Sequence, residues 1–168
     1  MDLFKMSTSI FLLFLVPYSA NAQKTVTVKV TNSIVLTEDE DEVWTAVSNL
    51  ENLDRLVPEI IDKTAAVGNG KGAIVTLTLK ADGNQVIEEI TKLNNTKRII
   101  SYKMVRTPMP MTHYKATIAI LRGDRNTFTL RFTAILKTDS KNRERMRTTI
   151  DGFQKTLLTN IKNKSYEK

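Results

Sequence analysis

The chain has 168 residues, 41% of them hydrophobic, with a net charge of +7, one histidine and no cysteine. Without cysteine there is neither a disulfide framework nor a thiolate ligand set for structural zinc, so stability has to come from an apolar core. The length after the leader described below suits one domain, residues 23–168, and the basic excess is of the kind that either keeps a protein soluble or draws it to a polyanion.

The elements begin with a segment that sorts the protein rather than folding it. Met1 to Lys5 is weakly positive, Ile10 to Val16 is an apolar run, and Ala20-Asn21-Ala22 offers small residues where a signal peptidase cuts. The run is well short of the roughly 20 residues that span a bilayer, so residues 1–22 read as a signal peptide rather than an anchor. The protein is therefore expected to be exported, to a periplasm or the extracellular space. Removing the leader takes Lys5 and Asp2 together and leaves the charge at +7.

Lys24 to Leu36 alternates Val26, Val28 and Val30 with Thr27, Lys29 and Thr31, which predicts a half-buried strand. Thr37 followed by Glu40 fits a capping box, with Thr37 as N-cap, and the acids of 38–42 suit a helix start. The same acids lack the glycine and ligand spacing of a calcium loop. Val43, Trp44 and Val47 give that helix an apolar face, with Trp44 read as core. Leu50, Leu53 and Leu56 predict a second short helix ending near Pro58.

Strands are then expected over 60–67, 73–80, 85–93, 98–104, 111–121 and 127–136, with turns at Gly68–Gly72, Asp82-Gly83, Asn94-Asn95 and Gly123-Asp124. Short turns between extended strands make an antiparallel meander. Gly68-Asn69-Gly70-Lys71-Gly72-Ala73 formally fits a dinucleotide fingerprint, but a strand follows it where a helix is required, so a hairpin turn is the better account. Met146, Ile150, Phe153, Leu157 and Ile161 then recur at helical spacing, one stripe on a long helix. Arg143, Arg145, Arg147 and Lys155 take its other faces, and Gly152 suggests a kink or a close contact. The tail from Asn163 is expected to fray.

The order is one strand, two short helices, a run of strands and one long amphipathic helix. This is an α+β helix-grip arrangement, a curved antiparallel sheet wrapped around a C-terminal helix, and a cavity between the two is the default binding site. Ile150, Phe153 and Leu157 would form its helical wall.

Three stretches carry a resemblance to a known family. They are Glu42-Val43-Trp44 with Val47; Glu88-Glu89-Ile90 with Leu93, Arg98-Ile99-Ile100, Tyr102 and Met104; and Pro108-Met109-Pro110-Met111 followed by Tyr114-Lys115-Ala116-Thr117-Ile118. In this order the chain resembles the START/Bet v 1-like (SRPBCC) superfamily, in its polyketide cyclase/dehydrase-like branch, from about Val30 to Ile161. The resemblance implies that Glu88, Tyr102, Met104, Tyr114 and Ala116 face the cavity. Strand period adds Ile118 to the face of Tyr114 and Ala116. Pro108 to Met111 would form a rim loop. Two positions depart from the pattern. Glu89 stands where an arginine is usual, and Ile61 stands where related hormone receptors carry a pocket lysine, so a carboxylate ligand held by that route is not expected.

Glu88 is the sharpest candidate. Facing an apolar cavity, it would have a raised pKa and serve as a polar anchor or an acid/base group; at an edge of the meander it would be an ordinary surface carboxylate. His113 falls opposite Tyr114 on the outer face, so neither a serine triad nor a metal site assembles around it, and no catalytic set, metal or cofactor is read. Nucleic acid is not indicated, since no basic-aromatic signature appears. Asn94-Asn95-Thr96 and Asn163-Lys164-Ser165 are formal glycosylation sequons. The expected function is an exported binding protein that encloses a lipid, polyketide or similar apolar molecule, the alternative being a cyclase/aromatase-like enzyme using the same cavity. An anionic membrane surface, met through the basic helix face, is the remaining candidate partner.

Overall fold

The computed structural model describes residues 24–123 and 126–164. The leader, Asp124 of the expected turn, and Ser165 of the second sequon lie outside the described residues.

Seven strands form one antiparallel sheet. They are β1 (Thr25–Leu36), β2 (Ile61–Val67), β3 (Ile74–Leu79), β4 (Gln85–Asn94), β5 (Ile99–Arg106), β6 (Met111–Arg122) and β7 (Phe128–Asp139). Their spatial order is β1-β7-β6-β5-β4-β3-β2, so the first strand closes on the last. That pairing runs without a break from Thr25↔Asp139 to Leu36↔Phe128. The alternation read in the sequence sets the faces: Val28, Val30 and Leu36 are buried while Thr27, Lys29 and Thr31 are exposed. Val67, last in β2, and Val35 in β1 are among the exposed apolar residues.

Between β1 and β2 lie α1 (Glu40–Ser48), a single 3-10 turn (Leu50–Asn52) and α2 (Leu53–Leu56). The N-cap of α1 is Asp39 and not Thr37: the Asp39 Oδ1 accepts from the Glu42 backbone N–H at 2.9 Å. Both residues can cap, but α1 begins at Glu40, three residues beyond Thr37, whose own N–H donates to the neighbouring Glu38 carboxylate at 2.8 Å. Trp44 is core, as expected; its Nε1–H donates to Asn95 Oδ1 at 3.2 Å and the Arg98 guanidinium lies 5.8 Å from its ring centre. Glu40 pairs with Arg98 and Arg122, and Asp41 with Arg98, which binds the acidic helix start to the far ends of β5 and β6.

The last helix, α3 (Arg143–Lys162), is continuous and lies on the concave side of the sheet. Gly152 corrects an expectation. It is exposed, a Cβ there would meet nothing within 4 Å, and the helix runs through it, so it marks neither a kink nor a close contact. Met146, Ile150, Leu157 and Ile161 are buried as the stripe predicts, with Phe153 partly buried beside them. Two polar contacts fix where the helix sits. Asn32 of β1 donates its Nδ2–H groups to Asp151 and to Gln154, each at 2.9 Å. At the other end Asn160 donates to the Leu56 carbonyl at 3.0 Å and to the Glu59 carboxylate at 3.1 Å, tying α3 to the end of α2.

Asn160 is buried, so its loss leaves the Leu56 carbonyl without that donor. The variant Asn160→Ala is expected to lose about 1–3 kcal/mol of stability, read as a lower urea midpoint at unchanged slope.

Candidate functional site

The concave face is where the chemistry sits. β4 brings Val86, Glu88 and Ile90 inward, and Glu88 lies in register with Val75 of β3 on one side and Met104 of β5 on the other. A bulge breaks the register between Ile87 and Glu88, and another lies in β6 between Thr112 and Lys115. At the second, His113 takes a left-handed backbone conformation (φ 52°) and stays exposed while Tyr114 turns inward. An inserted residue re-aims its neighbour in this way, and the bulge explains how adjacent residues reach opposite fates.

A cavity of about 170 Å³ lies between this part of the sheet and α3. Its sheet wall is Ile61 of β2, Leu77 and Leu79 of β3, Val86 and Glu88 of β4, Met104 of β5 and Tyr114 of β6. Thr149, Ile150 and Phe153 of α3 face them, and Ile60 and Met109 complete the lining. The exposed Thr149 and the half-buried Ile60, Leu79 and Met109 mark the open end.

Glu88, Met104, Tyr114, Ile150, Phe153 and Met109 thus come together, as the sequence placed them. Tyr102, Ala116, Ile118 and Leu157 are buried on the concave side but do not line this cavity. Tyr102 stands just behind it, its ring 6.4 Å from those of Tyr114 and Phe132, and Phe132 in turn stands 6.1 Å from Phe153. In the rim loop only Met109 reaches the cavity. Pro108 lines a separate groove with Arg106 and Gly83, and Pro110 and Met111 pack toward the end of β7, where Thr138 Oγ1 donates to the Pro110 carbonyl at 2.5 Å. Ile60, Ile61, Leu77, Leu79, Val86 and Thr149 were not foreseen as lining. Alternation in β3 and β4 marks Leu77 and Val86 as inward, but it does not say which inward residues the helix leaves uncovered.

Glu88 is 4% exposed, and its Oε2 has no hydrogen-bond partner among the described residues. Burial pushes its carboxyl up from 4.5 to about 8, so at neutral pH it is mainly the uncharged acid and carries a proton it can donate. Tyr102 and Tyr114 are pushed above the usual phenol range, first by burial; for Tyr102 the next causes are Tyr114 and then Glu88, and for Tyr114 the next is Glu88. Both phenols therefore stay protonated. The site offers hydrogen-bond donors inside an otherwise apolar enclosure. Glu89, the departure from the family pattern, points outward and pairs with Lys103 at 2.9 Å. Ile61 supplies apolar wall where a lysine would have supplied charge. Among the described residues no group of His, Asp or Glu is placed to hold a metal, and no helix is long and apolar enough to cross a membrane.

A family model described as polyketide cyclase / dehydrase and lipid transport matches residues 27–165. The chain belongs to this family. No curated protein matches it. Among solved structures, the chain is similar to norcoclaurine synthase from Thalictrum flavum, with a TM-score of 0.71 at 18% identity over 96% of this chain and 100% of that one. It is also similar to the Zhui aromatase/cyclase from Streptomyces sp. R1128, with a TM-score of 0.72 at 15% identity over 83% and 94%. The XoxI protein from Bacillus cereus gives 0.72 at 20% identity over 80% and 93%. At such identities the likeness is one of fold: the helix-grip arrangement is shared.

The raised Glu88 value has a sign. The unfolded chain ionises this group near 4.5 and the folded chain near 8, so its contribution is fully present below about pH 4.5 and is lost as pH rises toward 8. Across that window wild-type stability should fall relative to Glu88→Gln by on the order of 1 kcal/mol per pH unit. Paired urea melts at pH 5, 6.5 and 8 measure it; parallel curves would mean that Glu88 is not titrating in the interior.

Proposed function

We propose that this protein is an exported binding protein that encloses one apolar small molecule, a lipid, polyketide or similar compound, between sheet and helix. The observation that carries the reading is a buried carboxyl, Glu88, with one oxygen unpartnered among the described residues, set in an apolar cavity. Apolar contact would supply most of the affinity, and Glu88 with Tyr114 would orient the ligand by donating to an acceptor on it. A dry engineered cavity of about 150 Å³ holds one benzene ring. The 170 Å³ here fits a single ring or a short chain, and a larger ligand needs Met109 and the open end to give way. The signal-peptide reading of residues 1–22 supports export, to the periplasm or beyond the cell.

Gentle native mass spectrometry of the protein from its own host is the test. A discrete added mass that solvent extraction releases is expected. Val86→Phe, which adds volume at a buried lining position, should reduce that occupancy at least tenfold while the protein stays folded by circular dichroism. Full occupancy in that variant would place the ligand elsewhere.

A second reading, a cyclase/aromatase-like enzyme, is favoured by one observation: an acid held near pH 8 beside two protonated phenols is suited to proton transfer at neutral pH. On that reading Glu88→Gln should cut turnover of a polyketide-like substrate by roughly 100-fold or more while leaving its binding nearly intact. Loss of binding with no turnover in either protein favours the carrier.

A further inference from the structure

The net charge of this protein is not spread over it. Strands β1, β5, β6 and β7 form a contiguous half of the sheet and hold seven Lys and Arg residues against one acid, Asp139, close to the whole excess of +7. Because side chains alternate along each strand, the charged residues in the middle of these strands point to the convex face. Lys29 of β1, Lys115 of β6 and Arg131 and Lys137 of β7 are all exposed there. None of these four has an ion-pair partner among the described residues, whereas on α3 Arg143 and Arg147 share Glu144 within 3.9 Å and Lys155 lies 2.6 Å from Asp151.

Register turns scattered lysines into a cluster. Lys29 pairs with Ile135, and Ile135 pairs with Lys115. Lys137 lies two residues along the same strand on the same face, and Lys103, paired with Glu89, adjoins Lys115 on β5. Neighbouring strands are about 4.8 Å apart, so Lys29 and Lys115 stand on the order of 10 Å apart with Ile135 between them. Ile135 is 44% exposed, and Val105, beyond Lys103, is exposed on the same side. An aliphatic side chain ringed by unpaired lysines fits an interface with charge on its surface and hydrocarbon just beneath. It does not fit a nucleic acid or a polyanionic chain that stacks on rings, because Tyr102, Tyr114, Phe128 and Phe132 of these strands all point to the core.

We infer that the convex face of the sheet docks on an anionic lipid bilayer, with Lys29, Lys115 and Lys137 on headgroups and Ile135 between them. The inference is independent of what the cavity holds. It adds a basic surface on the sheet to the one that the sequence places on the helix.

Flotation of the purified protein with phosphatidylcholine vesicles, with and without 30% phosphatidylglycerol, tests it. Binding is expected only to the anionic vesicles and should fall steeply between 0.05 and 0.5 M salt, as the screening length shrinks. Each removed cation should weaken binding about fivefold, so Lys29→Gln, Lys115→Gln and Lys137→Gln combined should lose on the order of 100-fold. Arg143→Gln with Arg147→Gln should change it by less than about twofold. Amine acetylation of the wild type gives a readout free of any folding defect: anionic vesicles should slow labelling of Lys29, Lys115 and Lys137 but not of Lys155. Equal binding to neutral vesicles, full binding by the triple variant, uniform labelling, or retention on a polyanionic polysaccharide without vesicle binding would each overturn the proposal.

Discussion

One helix cannot cover seven strands. Six strand spacings of about 4.8 Å make a concave face nearly three times as wide as a helix with its side chains. The helix must therefore lean to one side, and the Asn32 hydrogen bonds to Asp151 and Gln154 decide which. They hold α3 over the β1–β7 side, where Phe132, Leu130 and Leu136 are wholly buried. The cavity opens on the other side, under β3, β4 and β5. Asn160 pins the far end of the helix to α2 and Glu59. The position of the site follows from a polar contact that is not part of it. Lys155 first and Asn32 second keep the Asp151 carboxyl below its ordinary value.

Against this frame Glu88 is costly. A buried acid with an unpartnered oxygen is less favourable than an apolar side chain of similar volume, and remaining protonated only lessens the penalty. No cation within the cavity offsets it: Ile61 lies where a lysine would have made an ion pair. The bulge between Ile87 and Glu88 adds a local break in the ladder at the same residue. Cost and irregularity at one position are what a polar anchor requires, because a donor already satisfied by the protein has nothing left to offer a ligand. Glu88 remains a donor at neutral pH because its surroundings are apolar, so the same burial that destabilises it gives it its chemistry.

The strands, the amphipathic stripe of α3 and their order were legible because alternation and helical period are properties of the sequence itself. Trp44, Leu50, Leu53 and Leu56 fell into place for the same reason. Glu88 was reached differently: period alone left it either inside or at an edge, and the family resemblance suggested the inward position that the structure has. What escaped was anything that depends on how two elements meet. Ala116, Ile118 and Leu157 point inward as period requires, yet they lie outside the gap. Leu79 and Thr149 line the gap only because of where the helix crosses the sheet. Thr37 and Asp39 can both cap, and the helix start at Glu40 makes Asp39 the one that does. Gly152 shows the converse: a residue conspicuous in sequence has no consequence when it faces solvent.

Charge was the least legible property, for a physical reason. The helix cations stand close together in sequence and look like a patch, but acids one turn away pair with Arg147 and Lys155. Lys29, Lys115 and Lys137 are spread over more than a hundred residues, and only the pairing of the first strand with the last brings them together around Ile135. The long β1–β7 ladder therefore does two things. On its concave side it seats α3 and so decides where the cavity is; on its convex side it sets three unpaired lysines around one exposed isoleucine. Because successive residues of a strand face opposite ways, slipping that register by one would turn Lys29 into the core and Val28 out to water. The burial of Val28 and Val30 thus holds the basic face in place, and the core that shapes the cavity also orders the surface.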